Sequence, residues 1–286
     1  MDWHVQTTTS GDRRWQALLL LVLWLLCCPV AAQDIDGDEP PVAYPDAERK
    51  YHRLLLGATL GITAWGVVNW DYGDRTPNST SEGWFEYDTD SGGADKAGHF
   101  YTSYVMANAL PSLYRDWGFS HDQASRRGLY SSLIINGVME IGDSFSEYGF
   151  SWEDMVANSA GALAGYWLDR HPWWDVRLTL RVEYLPRFDR LDFLTDYENM
   201  KYLAALRLDT LFGQRQPVWR YLDVQVGYYT RGYEEPLDVP VRYGYVGLGI
   251  NLSAVAERFG WRRSASFLRY WQPPETSLQE RWSADR

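Results

Sequence analysis

The sequence predicts an α+β protein, a bundle of about four short apolar helices followed by an antiparallel sheet of about four strands. Three observations carry that expectation. A charge-free apolar run spans Leu54–Trp70. Three further segments, about 95–113, 122–143 and 152–169, keep helical spacing of their apolar positions. After His171-Pro172 the period changes to two: Val176, Leu178, Leu180, Val182 and Tyr184 alternate with Arg177, Thr179, Arg181 and Glu183, the pattern of a strand with one apolar and one polar face.

The apolar run of the first helix holds Gly57 and Gly61, and the fourth helix holds Gly161 and Gly165, both pairs at G-x-x-x-G spacing. Small residues so spaced let helices approach closely. Ser151 and Asp154 form a capping-box pattern at the start of the fourth helix. Strands are expected near 176–184, 200–211, 220–230 and 243–253. Tyr crowds their ends at Tyr202, Tyr221, Tyr228, Tyr229, Tyr243 and Tyr245. Alternation with terminal aromatics has an outer-membrane flavour, but four strands are too few to close a barrel. The sheet is therefore expected to pack on the helices.

Upstream of the helices, residues 1–32 have the layout of a secretory signal peptide. Arg13 and Arg14 precede a short apolar stretch, Ala17 to Cys28, and Val30-Ala31-Ala32 is a small-residue cleavage site before Gln33. Cys28 follows Leu25-Leu26-Cys27, without the small residue that lipid attachment favours, so simple cleavage is expected. Both cysteines lie in this segment. The mature chain then has neither disulfides nor a disulfide partner. Residues 33–50 form an acidic, Pro-bearing linker, 51–170 the helical domain, 171–272 the β region and 273–286 a polar tail.

Composition narrows the function. The net charge of −11 argues against nucleic acid, which selects basic faces. The 15 Trp and 20 Tyr favour a boundary between water and bilayer. The expected location is the periplasm, associated with the outer membrane, with membrane lipid or another envelope component as partner.

Polar residues interrupt the apolar helices in a pattern. Asp95, His99 and Ser103 recur every fourth residue, with Lys96 beside them. Asn136, Glu140 and Asp143 mark the third helix, and Asp154 and Asn158 the fourth. Buried carboxylates are costly unless paired or cation-bound, so three such stripes are expected to converge. Two readings stand open. In one, His99, Glu140 and Asp143 perform acid–base or metal chemistry on lipid or glycan, with Asp95, Lys96, Ser103, Asn136, Ser151, Asp154 and Asn158 as binding residues. In the other, the cluster is structural or holds a polar headgroup: Lys96 pairs with Glu140 or Asp143, Asn158 caps a neighbouring backbone, and Asp95 and Asp154 stabilise helix N-termini. The pattern names no cofactor and no particular metal. Neither G-x-S-x-G, H-E-x-x-H nor a P-loop occurs.

The same residues carry a resemblance. Asp95-Lys96-Ala97-Gly98-His99-Phe100, Glu140-Ile141-Gly142-Asp143 and Ser151-Trp152-Glu153-Asp154-Met155-Val156-Ala157-Asn158 with Gly161 resemble the YfiM-type predicted periplasmic lipoproteins, as does Asp196-Tyr197-Glu198-Asn199. Their order is also similar to that of VanZ-like membrane proteins. The resemblance covers about residues 50–170 and implies an envelope protein in which these residues matter.

Overall fold

A computed structural model describes residues 46–186, 192, 194–213, 216–233 and 238–285. The signal peptide and residues 33–45 of the acidic linker lie outside the described residues, and the linker's last four residues, 47–50, are the start of α1. Four helices come first: α1 (Ala47–Asn69), α2 (Ala94–Asp116), α3 (His121–Asp143) and α4 (Trp152–Asp169). Three of them run 23 residues, longer than the short helices expected. A two-residue strand β1 (Ser79–Thr80) pairs in parallel with β2 (Phe150–Ser151), tying the loop after α1 to the start of α4.

The second half is a sheet. It comprises β3 (Leu178–Glu183), β4 (Lys201–Arg207), β5 (Leu222–Arg231), β6 (Val241–Ile250), β7 (Trp271–Gln272) and β8 (Ser277–Ser283), in the order β7-β3-β4-β5-β6-β8. Short helices α5 (Pro172–Asp175), α6 (Leu208–Phe212), α7 (Leu252–Arg258) and α8 (Arg262–Leu268) punctuate it. The α+β class and the helix-then-sheet order agree with the sequence reading. The sheet has six strands rather than about four, and only β7 joins in parallel. Residues 277–283, expected in a polar tail, pair with β6 as β8. Leu278, Glu280 and Trp282 share one exposed face of this edge strand, and the charge among them breaks the apolar signal.

Helix α2 is the centre of the molecule. It packs against α4 and α3 on one side and meets the sheet on the other. Its Tyr104 and Ala109 join Leu168, Tyr270, Leu178 and Leu180 in one apolar cluster. Ala97 and Tyr101 join Val182, Tyr184 and Tyr202 in a second. The even-numbered residues of β3 thus supply the helix-facing side, as a period of two requires.

The other side of the sheet departs from expectation. Thr179, Arg181 and Glu183 do not face water; Arg181 is 2 % exposed. The sheet curls around them. Gln279 on β8 donates to Glu183 on β3 at 3.1 Å, and Gln225 on β5 donates to Gln272 on β7 at 3.0 Å. Strands β3 and β8 are four places apart, about 19 Å in a flat sheet at ~4.8 Å per strand. Only strong curvature brings their side chains together. The interior of the roll mixes these polar side chains with the buried Leu203, Ala205, Tyr229 and Tyr245, while Val226, Val246, Leu248, Ile250 and Leu278 are exposed outside.

The two G-x-x-x-G pairs behave differently. A Cβ on Gly161 would lie 2.0 Å from the Phe100 carbonyl oxygen, and one on Gly165 2.5 Å from that of Tyr104. These glycines let α4 lie directly on the backbone of α2. Gly57 and Gly61 have nothing within 4 Å, so that pair closes no contact among the described residues. Gly161→Ala is therefore expected to destabilise by about 1–3 kcal/mol, because a backbone atom cannot yield cheaply. Gly57→Ala should be neutral or stabilising by up to about 1 kcal/mol. Thermal melts of the two variants check this; equal melting temperatures would contradict the packing described.

Candidate functional site

The N-termini of α2 and α4 and the C-terminus of α3 meet at one end of the helical layer, and the polar stripes converge there. The centre is Lys96, whose side chain is buried. Its ammonium contacts Asp95 Oδ2 at 2.7 Å, Asp154 Oδ1 at 2.8 Å and the carboxylate of Glu82. Lys96 thus pairs with these three groups and not with Glu140 or Asp143. Glu140 is taken by Asn158 and Asp143 by Tyr72, so both lie on the α3 side of the cluster.

Asn158 links the helices. Its Oδ1 accepts from Ser103 Oγ at 2.9 Å and lies 3.3 Å from His99 Nδ1. Its Nδ2 donates to Glu140 Oε1 at 3.1 Å. It joins side chains rather than capping a backbone. His99 stands between two carboxylates: Nδ1 is 3.5 Å from Glu140 Oε1 and Nε2 is 3.6 Å from Asp154 Oδ1. These are ion-pair distances, longer than good hydrogen bonds. Ser151 caps α4, accepting from the Asp154 backbone N–H at 3.2 Å. The reciprocal half of the capping box is replaced, because the Asp154 carboxylate turns to Lys96 and His99.

Two expected members sit apart. Asp143 accepts from Tyr72 Oη at 2.8 Å. The Tyr72 ring occupies space that a Cβ on Gly66 of α1 or Gly142 of α3 would fill. Asn136 is buried but donates within α3, to the Ser132 carbonyl at 2.9 Å, away from the carboxylates. Conversely, Glu82 and Tyr72 were not among the expected residues. Both lie in the segment after α1, rich in Asp, Gly, Ser and Thr, where no helical spacing marks a face.

The electrostatics split the acids. Burial, then the charges of Asp154, Asp143 and Glu82, push the Glu140 carboxyl up to about 9 against the pull of Lys96. Burial also raises Asp143 to about 7; the Tyr72 hydrogen bond opposes it and the Asp154 charge adds to it. Glu82 rises through burial and the Asp154 charge. Asp154 goes the other way: burial would raise it, but His99 and Lys96 hold it below the usual carboxylate range. Lys96 stays above its ordinary value because Asp95 and Asp154 outweigh its burial. Near neutrality the site therefore pairs an ionised Asp154 with a protonated Glu140, with His99 between them. Oppositely tuned acids of this kind suit acid–base chemistry.

Two sets of ligand atoms also lie within 4.8 Å of one another: His99, Glu140 and Asp154, and Glu82, Asp95 and Asp154. The first offers the nitrogen and oxygen donors that divalent ions take. In the second, Lys96 already supplies the positive charge.

Glu140 generates a pH dependence with a definite sign. Between its unfolded value near 4.5 and about 9, the folded chain holds a proton that the unfolded chain has released. Stability from this group therefore falls as pH rises through that window, and Asp143 adds to the fall up to about 7. Asp154 acts oppositely, its contribution being lost on acidification. Glu140→Gln, which keeps an acceptor for Asn158, is expected to flatten the decline between pH 5 and 9. Glu140→Ala strands Asn158 and should cost about 1–3 kcal/mol at every pH. Calorimetric melts at pH 5 and pH 9 check this; identical pH slopes for the parent and Glu140→Gln would show the carboxyl to be ionised throughout.

Comparison with known proteins reaches this part of the chain. No curated protein and no solved structure matches it. Residues 81–170 match the model of a family described as predicted periplasmic lipoproteins, DUF2279. That stretch contains Glu82, Asp95, Lys96, His99, Glu140, Asp154 and Asn158, and the likeness supports a place in the periplasm for this cell-envelope protein.

Proposed function

We propose that the protein is a periplasmic envelope protein seated on the outer membrane through the apolar faces of its helices, and that its polar cluster receives a lipid headgroup carrying a cationic amine. The observation that supports this best is the position of the cluster. It lies at one end of a helical layer whose outer stripes are apolar. Leu56, Leu60, Val67 and Val68 on α1, Tyr130, Ile134 and Ile141 on α3, and Trp152, Val156, Leu163 and Trp167 on α4 are all exposed. The α4 stripe runs from one Trp to the other over about 22 Å at ~1.5 Å per residue. Aromatic residues at both ends of an apolar strip suit a membrane boundary. Among the described residues no helix is long and apolar enough to cross a membrane, so the contact is with one leaflet.

The members of the cluster with measurable exposure are acidic or imidazole. The side chains of Glu82, Asp95 and His99 are 23, 19 and 14 % exposed, while Glu140 is 1 %. Lys96 neutralises part of the buried negative charge, and an ammonium headgroup would neutralise more at the open rim.

A second reading is an envelope lipid- or glycan-modifying hydrolase. The opposite tuning of Glu140 and Asp154 about His99 favours it: Glu140 would give a proton to a leaving group, while Asp154 and His99 would take one from water.

Vesicle flotation separates these readings. The protein is expected to float with phosphatidylethanolamine–phosphatidylglycerol vesicles and to stay bound in 1 M salt, because apolar contact is not screened. Binding should be several-fold weaker to pure phosphatidylglycerol, and Glu82→Gln with Asp95→Asn should erase that difference. Release by salt alone would contradict the membrane seat, and an unchanged lipid preference in the variant would contradict headgroup binding. Mass analysis of the recovered lipid should show it intact; cleaved lipid would favour the hydrolase.

A further inference from the structure

Helix α7 follows β6 directly and α8 leads into β7, so the two form a short hairpin at one end of the roll. Its tip reads Glu257-Arg258-Phe259-Gly260-Trp261-Arg262-Arg263. The turn is a Schellman motif. The Trp261 N–H donates to the Ala256 carbonyl at 2.9 Å and the Gly260 N–H to that of Glu257 at 3.0 Å. Gly260 sits at φ +76°, the left-handed conformation that glycine adopts without strain. Ser253 Oγ on α7 donates to the Ala265 carbonyl on α8 at 2.8 Å, and Ala254, Ala256 and Ala265 are buried. Backbone bonds and small buried residues thus fix the hairpin, and its shape does not depend on the large side chains at the tip.

Those side chains face out. Phe259 is 65 % and Trp261 62 % exposed, with ring centroids 5.4 Å apart. In such a turn the residue at the place of Trp261 commonly packs back on the helix that has just ended; here it stands in the open beside a second ring. Arg258, Arg262 and Arg263 flank the two rings, and all three are exposed. Arg258 and Arg262 form no ion pair among the described residues. The one nearby acid, Glu257, lies 3.6 Å from Arg220. In a chain of net charge −11, this tip is a cationic, aromatic exception.

We infer that the α7–α8 tip docks on the anionic surface of a phospholipid leaflet. Phe259 and Trp261 enter the headgroup boundary, where aromatic rings with one wet edge are at home, and Arg258 and Arg262 lie against lipid phosphates, whose oxygens match a planar guanidinium. Area argues against a protein partner. Two aromatic side chains cover about 300–500 Å², less than the roughly 800 Å² that each partner gives to a stable protein interface. A leaflet sets no such minimum, because insertion of a few rings and the attraction of each basic side chain add directly. This contact is separate from the apolar helical stripes and from the acidic cluster, and it selects anionic lipid whether or not that cluster takes an amine.

Flotation tests it with phosphatidylethanolamine–phosphatidylglycerol vesicles and with vesicles in which phosphatidylcholine replaces the phosphatidylglycerol. At low salt the protein is expected to bind the anionic vesicles at least about tenfold more tightly, since one arginine at an anionic surface contributes about fivefold. The preference should vanish in roughly 1 M salt, where charge is screened. The double variant Arg258→Gln, Arg262→Gln should lose it at low salt, and the double variant Phe259→Ser, Trp261→Ser should bind both vesicles more weakly. Circular dichroism confirms that each variant is folded. The amine content is the same in both vesicles, so Glu82→Gln with Asp95→Asn should keep the anionic preference, which separates this inference from the headgroup reading. From Gln33 onward the chain has no cysteine, so Phe259→Cys carrying a polarity-sensitive dye reports the tip alone, and its emission should shift to the blue on the anionic vesicles. Equal binding of the parent to both vesicles, a preference that the arginine variant keeps, or a dye that stays in water on bound protein overturns the inference. A dimer formed without vesicles and dissociated by the arginine variant, with no lipid preference, would also overturn it and assign the tip to a second copy of the chain.

Discussion

One buried ammonium organises the helical half of this protein. Lys96 lies at the start of α2, out of water, and three carboxylates from three segments close on it. An isolated buried ammonium is untenable at neutral pH, and so is an isolated Asp154. Each is tolerable only because of the other, so the loop carrying Glu82, the first turn of α2 and the first turn of α4 must come together. The rest follows. With α4 pinned at Asp154, Gly161 and Gly165 bring it against the α2 backbone, Asn158 reaches Ser103, His99 and Glu140, and α3 is fixed through that bond.

The sheet solves the same problem by a different route. Its interior also holds charge: Arg181 with Asp223, and Lys201 with Glu183. Curvature rather than helix packing buries these pairs, and the strand exteriors not covered by α2 remain apolar. Both halves bury polar groups beside apolar clusters, such as Tyr51 with Leu110 and Tyr114 in the helices and Leu203 with Tyr229 and Tyr245 in the roll, and both leave apolar side chains exposed. In water that arrangement is unfavourable over any large area. The membrane seat proposed above would cover these exposed side chains.

Much of this was legible in the residues. A spacing of four placed Asp95, His99 and Ser103 on one face, and Asp154 and Asn158 on another, because helical period alone decides which side chains share a side. A period of two marked β3 to β6. What period cannot supply is what a face meets. Thr179, Arg181 and Glu183 have the pattern of a solvated strand face, and only the curl of the sheet turns them inward. Glu82 and Tyr72 come from irregular backbone that has no period to read. Strand β8 is an edge strand with adjacent charges, Glu280 and Arg281, and polar Gln279 between its two apolar residues, so its sequence resembles a tail. The partner of Lys96 was misplaced for a related reason: Glu140 and Asp143 stood out in an apolar stretch, whereas Asp95 and Glu82 lay among polar neighbours.

The central claim is that Lys96 and Asp154 hold one another in the fold, and a double-mutant cycle measures that directly. Lys96→Met and Asp154→Leu should each destabilise by about 3–5 kcal/mol, since each strands a buried charge. The double variant should be less destabilised than the sum of the two by more than about 1 kcal/mol, because it strands no partner across that pair. Additive losses, with no coupling beyond about 0.5 kcal/mol, would show that the ammonium and the carboxylate do not depend on each other.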